Sequence, residues 1–120
     1  YDLWIRMAKA GVRFASIPEY LANSRMHRGA KTIYEREEVF QASMNLLRRH
    51  YGYVPLPWVF GYTAWRKDGR DQFFAPLQPS FGKYLASLPM GLRLNPGKRL
   101  RFLAEWLAAP AGAAVRRLRG

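Results

Sequence analysis

With 49% hydrophobic and 15% aromatic side chains over 120 residues, the chain has the apolar content of a folded protein and not of a disordered one. Twenty Lys and Arg against eight Asp and Glu leave a formal charge of +12, a field that draws phosphate groups on a nucleotide, a nucleic acid or a membrane surface. Cysteine is absent, which excludes a disulfide framework, thiolate metal ligands and a thiol nucleophile, and no run reaches the ~18 apolar residues of a membrane span.

The first element is a helix. Leu3, Trp4, Met7 and Ala8 recur at helical spacing and form one apolar stripe, with Asp2, Arg6 and Lys9 near the opposite face, and Gly11 suits the left-handed position after the last turn. Val12 to Ile17 alternates apolar and polar side chains as a half-buried strand does, Pro18 closes it, and Tyr20 to Met26 is a second, weaker strand pattern. A long helix is expected from Thr32, whose spacing to Glu35 is that of a capping box, through Val39, Phe40, Ser43, Met44 and Leu47 to Gly52.

The Pro-rich joint Val54-Pro55-Leu56-Pro57 then separates residues 1–52 from 53–120. The first segment carries a net charge of +4 and the second +8, so the basic excess lies mainly in the tail. Aromatics at Trp58, Phe60, Tyr62 and Trp65 crowd a short helix that ends in the run Arg66 to Arg70, and Phe73 and Phe74 fall in an irregular stretch. Ser80 is placed to cap a helix through Leu88, which Pro89 interrupts. Asn95-Pro96 opens a last helix with Leu100, Phe102, Leu103, Trp106 and Leu107 on one broad face. Pro110 ends it before a short basic helix at the terminus.

The runs Tyr-Asp-Leu-Trp-Ile-Arg-Met-Ala-Lys-Ala-Gly, Phe-Ala-Ser-Ile-Pro-Glu-Tyr-Leu-Ala and Arg-Met-His-Arg-Gly-Ala-Lys-Thr, in that order, resemble the last third of the catalytic domain of family 2 glycosyltransferases. The match covers Tyr1 to about Thr32 and continues loosely to about Gly52. It implies an α/β fold at the N-terminal end, one edge of a GT-A, Rossmann-like nucleotide-sugar transferase domain in residues 1–52, followed by a mostly α-helical tail in 53–120. It also implies that the nucleotide-binding half and its D-x-D motif lie upstream of Tyr1, so that residues 1–120 alone should be inactive. The expected activity is inverting transfer from a nucleotide-sugar donor to a saccharide, lipid-linked or surface-polymer acceptor. A divalent Mn or Mg ion would be held mainly by upstream residues. The setting expected is the cytoplasm, which the lack of cysteine fits, or the inner face of the cytoplasmic membrane.

Residue by residue, the resemblance gives Asp2 the part of a supporting neighbour to a base upstream. A carboxylate in a helix's first turn is also an ordinary favourable cap. His27 matches a histidine that binds the metal or the donor diphosphate in some members, and is otherwise a surface-loop histidine. Arg25, Arg28 and Lys31 would surround the diphosphate and stabilise the leaving group, or form a solvated basic loop. Trp4 would stack on an acceptor sugar, or pack in a core. Basic residues beside Trp, Phe and Leu within 95–119 have the composition of an interfacial membrane helix. A different class of function, a basic aromatic-rich module for nucleic acid or an anionic surface, needs the same composition. No zinc-finger, helix-turn-helix or RNP pattern supports its nucleic-acid form, so no nucleic-acid partner is expected.

Overall fold

A computed structural model describes residues 1–25, 27, 29–70 and 74–118, with the backbone alone described for 111–118. Among the described residues six helices follow one another: α1 (Asp2–Lys9), α2 (Lys31–Tyr34), α3 (Arg36–Tyr51), α4 (Leu56–Asp68), α5 (Phe81–Leu94) and α6 (Arg99–Leu118). Among the described residues there is no strand, so the fold is all-α and the expected α/β N-terminal end is overturned. Val12 to Ile17 and the described part of Tyr20 to Met26 are irregular and exposed. The physical reason is pairing. An alternating pattern becomes a strand only where a neighbour takes up its backbone N–H and C=O groups, and no described segment of the chain offers such an edge.

The chain divides into two compact units, Tyr1–Leu46 and Leu47–Gly120. In the first, α1 ends as the sequence indicates. Ala10 is its C-cap, Gly11 takes φ 78°, and the N–H groups of Gly11 and Val12 return to the carbonyls of Ala8 and Met7 at 3.1 Å each. This is the paired 5→2 and 6→1 bonding that a left-handed glycine permits. Its expected buried stripe is not covered, since Leu3 and Trp4 are exposed and no residue of α1 is buried. The helix expected to start at Thr32 is two helices. Ala30 is the N-cap of α2, Thr32 is already inside it, and Glu35 leaves helical geometry at φ −99°, ψ 45°, before α3 begins. Within α3 the expected stripe holds at its centre, with Phe40 and Met44 buried.

The second unit is a three-helix assembly of α4, α5 and α6 around Val54, Val59, Tyr62, Ala64 and Phe102. Pro55 and Pro57 are part of its first turn and not a free joint. Pro55 is the N-cap of α4 and Pro57 sits in the opening positions where a missing N–H costs nothing. Gly69, at φ 69°, closes α4. Ser80 caps α5 as expected, its hydroxyl accepting from the Lys83 N–H at 3.3 Å.

Two prolines expected to end helices do not. Pro89 lies within α5, and Leu85, whose carbonyl loses its i+4 donor, is exposed to water. Pro110 lies within α6 and removes the donor from the Trp106 carbonyl, but the Tyr84 hydroxyl of α5 donates to that same oxygen. The Trp106 indole N–H returns to the Tyr84 carbonyl and to Ser87 Oγ, both at 3.2 Å, and the two rings stack with centroids 4.5 Å apart. α6 therefore runs on to Leu118.

Candidate functional site

All the residues assigned a part in glycosyl transfer belong to the first unit. Asp2 opens α1, where unpaired N–H groups favour a carboxylate, and one of its oxygens lies 2.9 Å from Arg6 Nε. That partner suits the supporting part better than that of a base, because the carboxylate is already shared with a cation. Trp4 is 59% exposed, and its ring faces Phe14 with centroids 5.8 Å apart and the planes tilted by 58°. It is neither core nor isolated.

The described residues of the basic segment ahead of α2 are irregular. Arg25 and His27 are exposed, Arg28 lies outside the described residues, and Lys31 opens α2 with its ammonium 3.3 Å from Glu35. The His27 carbonyl accepts from the Ala30 N–H at 2.9 Å, which turns the chain into α2. A side chain at Gly29 would meet the imidazole, its Cβ standing 3.4 Å from Nδ1, so the glycine leaves room for the ring to lie over the turn. An exposed Lys–Glu pair of this kind contributes only ~0–1 kcal/mol, so an anion can compete for the lysine. As for a divalent ion, His27 supplies one imidazole, and among the described residues no three His, Asp or Glu side chains gather. That set does not by itself make a metal centre.

A set of polar residues holds the second unit together. Asn95, expected to cap the last helix, is instead the C-cap of α5, and it is buried. Its side chain accepts from the Val54 N–H at 2.7 Å and donates to the carbonyls of Val54 and Gly91 at 3.1 and 3.0 Å. Glu105 accepts from the Tyr53 hydroxyl and, at 3.0 Å, from the N–H of Leu56, so that a carboxylate from α6 sits at the N-terminus of α4. Burial and this carboxylate push the Tyr53 phenol well above its ordinary value, against the pull of Arg101, whose guanidinium lies 4.2 Å from the ring centre. Lys83, buried, donates to Asp68 and at 2.6 Å to the Gln78 carbonyl. The Asp68 carboxyl is held below its usual range, chiefly by that hydrogen bond. A sequence signal existed for Glu105, the lone acid in an otherwise apolar and basic helix. None existed for Asn95, because Asn serves either end of a helix.

The class that fold and site define is an all-α chain of two units, one bearing an exposed basic segment and the other three helices around an apolar core with a basic exterior. No family model, no curated protein and no solved structure matches the chain. Among the described residues no helix is long and apolar enough to cross a membrane.

Proposed function

We propose that residues 1–32 take part in glycosyl transfer from a nucleotide sugar, with Arg25, His27 and Lys31 at the donor diphosphate, Asp2 supporting the base and Trp4 against the acceptor. The observation that carries this proposal is the character of the segment after α1. Its described residues from Val12 to Gly29 are exposed, Arg13, Arg25 and His27 among them. Surface segments of that kind hold binding residues more often than packed elements do. The order of the three sequence motifs supports the same reading.

In this reading the guanidinium of Arg25 and the ammonium of Lys31 offset the charge that grows on the leaving diphosphate as the glycosidic bond breaks. His27 contacts that diphosphate directly through a ring nitrogen. Asp2, held by Arg6, adds negative potential beside the base that takes the acceptor's proton. The acceptor is a saccharide, a lipid-linked sugar or a surface polymer, and the work is done in the cytoplasm or at the inner face of its membrane.

Amide exchange in the natural gene product that carries these residues tests the placement. A nucleoside diphosphate should slow exchange across residues 25–34 and leave α4 unchanged. Protection confined to residues 47–118 would move the ligand to the second unit and favour the basic binding module.

A further inference from the structure

The second unit divides the broad apolar face of α6 into two. Phe102 is fully buried, Trp106 stacks on Tyr84, and Glu105 reaches Tyr53, so that side of the helix is spent inside the unit. On the other side Leu100 is 84% and Leu107 62% exposed, with Ala104 and Ala108 also exposed. Positions i, i+4, i+7 and i+8 lie on one stripe, so an aliphatic strip faces outward along two turns. Exposed Lys98, Arg99 and Arg101 stand at its N-terminal end, and Pro110 is followed in the sequence by Arg116, Arg117 and Arg119.

We infer that this strip is a docking surface for an anionic phospholipid bilayer, lying in the interface with the leucines among the acyl chains and the cations at the headgroups. Charge complementarity selects the occupant. The described residues of the second unit carry only two acids, Asp68, paired with Lys83 and Arg70, and Glu105, which accepts from Tyr53 and Leu56, against a larger number of exposed Lys and Arg, so its outer field is cationic. A second copy would set Arg99 and Arg101 against like charges. Nucleic acid would find only aliphatic side chains along Leu100, Ala104, Leu107 and Ala108, with no ring among them on which a base could stack. An aliphatic strip edged by arginines is what the headgroup boundary accepts. This inference stands apart from glycosyl transfer and does not depend on it.

Flotation of the 120-residue chain with vesicles tests it, using phosphatidylcholine alone or with an equal part of phosphatidylglycerol, at low and at raised salt. The chain should float with the anionic vesicles and lose most of that association in raised salt. The variant L100S/L107S changes two exposed positions, so far-UV circular dichroism should be unchanged while partitioning falls roughly tenfold to a hundredfold. Arg99→Gln should lower it about fivefold. Unchanged flotation of L100S/L107S would overturn the proposal, as would no association with any vesicle. So would self-association that vanishes in L100S/L107S without vesicle binding, or release from anionic vesicles by an equal charge of duplex DNA.

Discussion

Gly91 is where the packing of the second unit is most sharply testable. A Cβ built there would lie 1.9, 2.0 and 2.6 Å from three ring carbons of Phe102, which is itself fully buried. In an exposed helix, Gly→Ala stabilises by about 0.5–1 kcal/mol, because the unfolded chain loses freedom. Here the methyl cannot fit unless the ring swings out or α5 and α6 separate. Overpacking of a filled core costs about 1–3 kcal/mol. Ring and backbone must both shift at this separation, so the upper part of that range applies, and the net effect of Gly91→Ala should be a loss of roughly 1–2 kcal/mol. The sign alone is diagnostic. Urea unfolding followed by far-UV circular dichroism and by tryptophan emission should show a lower midpoint for Gly91→Ala. In a Phe102→Leu background the smaller side chain should relieve part of the clash, making the same substitution less costly. A Gly91→Ala protein as stable as the parent, or more so, would refute the close approach of the two helices.

Tyr84→Phe should cost about 1–3 kcal/mol, since it leaves the Trp106 carbonyl, already deprived of its helical donor by Pro110, without the hydroxyl; Pro110→Ala in that background should recover part of the loss. Asn95→Leu should destabilise by a similar ~1–3 kcal/mol and speed amide exchange at Val54, whose N–H and C=O both lose their partner. At alkaline pH the sign follows from Tyr53. Its phenol is raised in the folded state, so above the unfolded value near 10 the unfolded chain releases a proton that the native one keeps. Stability should therefore fall as pH rises through that value, until the folded phenol also ionises. Tyr53→Phe should flatten the slope of stability between about pH 9 and 11, leaving the smaller part due to Tyr84, which burial also raises. A slope unchanged in Tyr53→Phe would contradict the burial of this phenol against Glu105.

What the sequence shows of this fold depends on how local the cause is. Gly11, Gly52 and Gly69 mark helix ends correctly because a left-handed turn is set by the residue itself, and each has φ between 61° and 78°. Ser80 is equally local. The strand at Val12 to Ile17 misleads because period-two alternation reports a neighbour that no described segment supplies. Pro110 misleads for the opposite reason. A hydroxyl 26 residues earlier in the chain makes good the lost bond, and nothing near the proline announces it. Asn95 and Glu105 likewise act across 41 and 52 residues. Of the candidate site, the cations and Asp2 were visible as residue types. Their exposure, and the pairing of Asp2 with Arg6 and of Lys31 with Glu35, come from the structure.

The proposed activity meets its most direct test in nucleoside diphosphate release. The natural gene product carrying these residues would be incubated with a panel of nucleotide sugars, with and without Mn²⁺ or Mg²⁺, beside His27→Ala. One donor should be turned over, and the variant should lose roughly 10²-fold or more of that rate, as removal of a transition-state contact does, with its circular dichroism spectrum unchanged. No turnover of any donor, or full activity in His27→Ala, would contradict the assignment of the basic segment to the donor diphosphate.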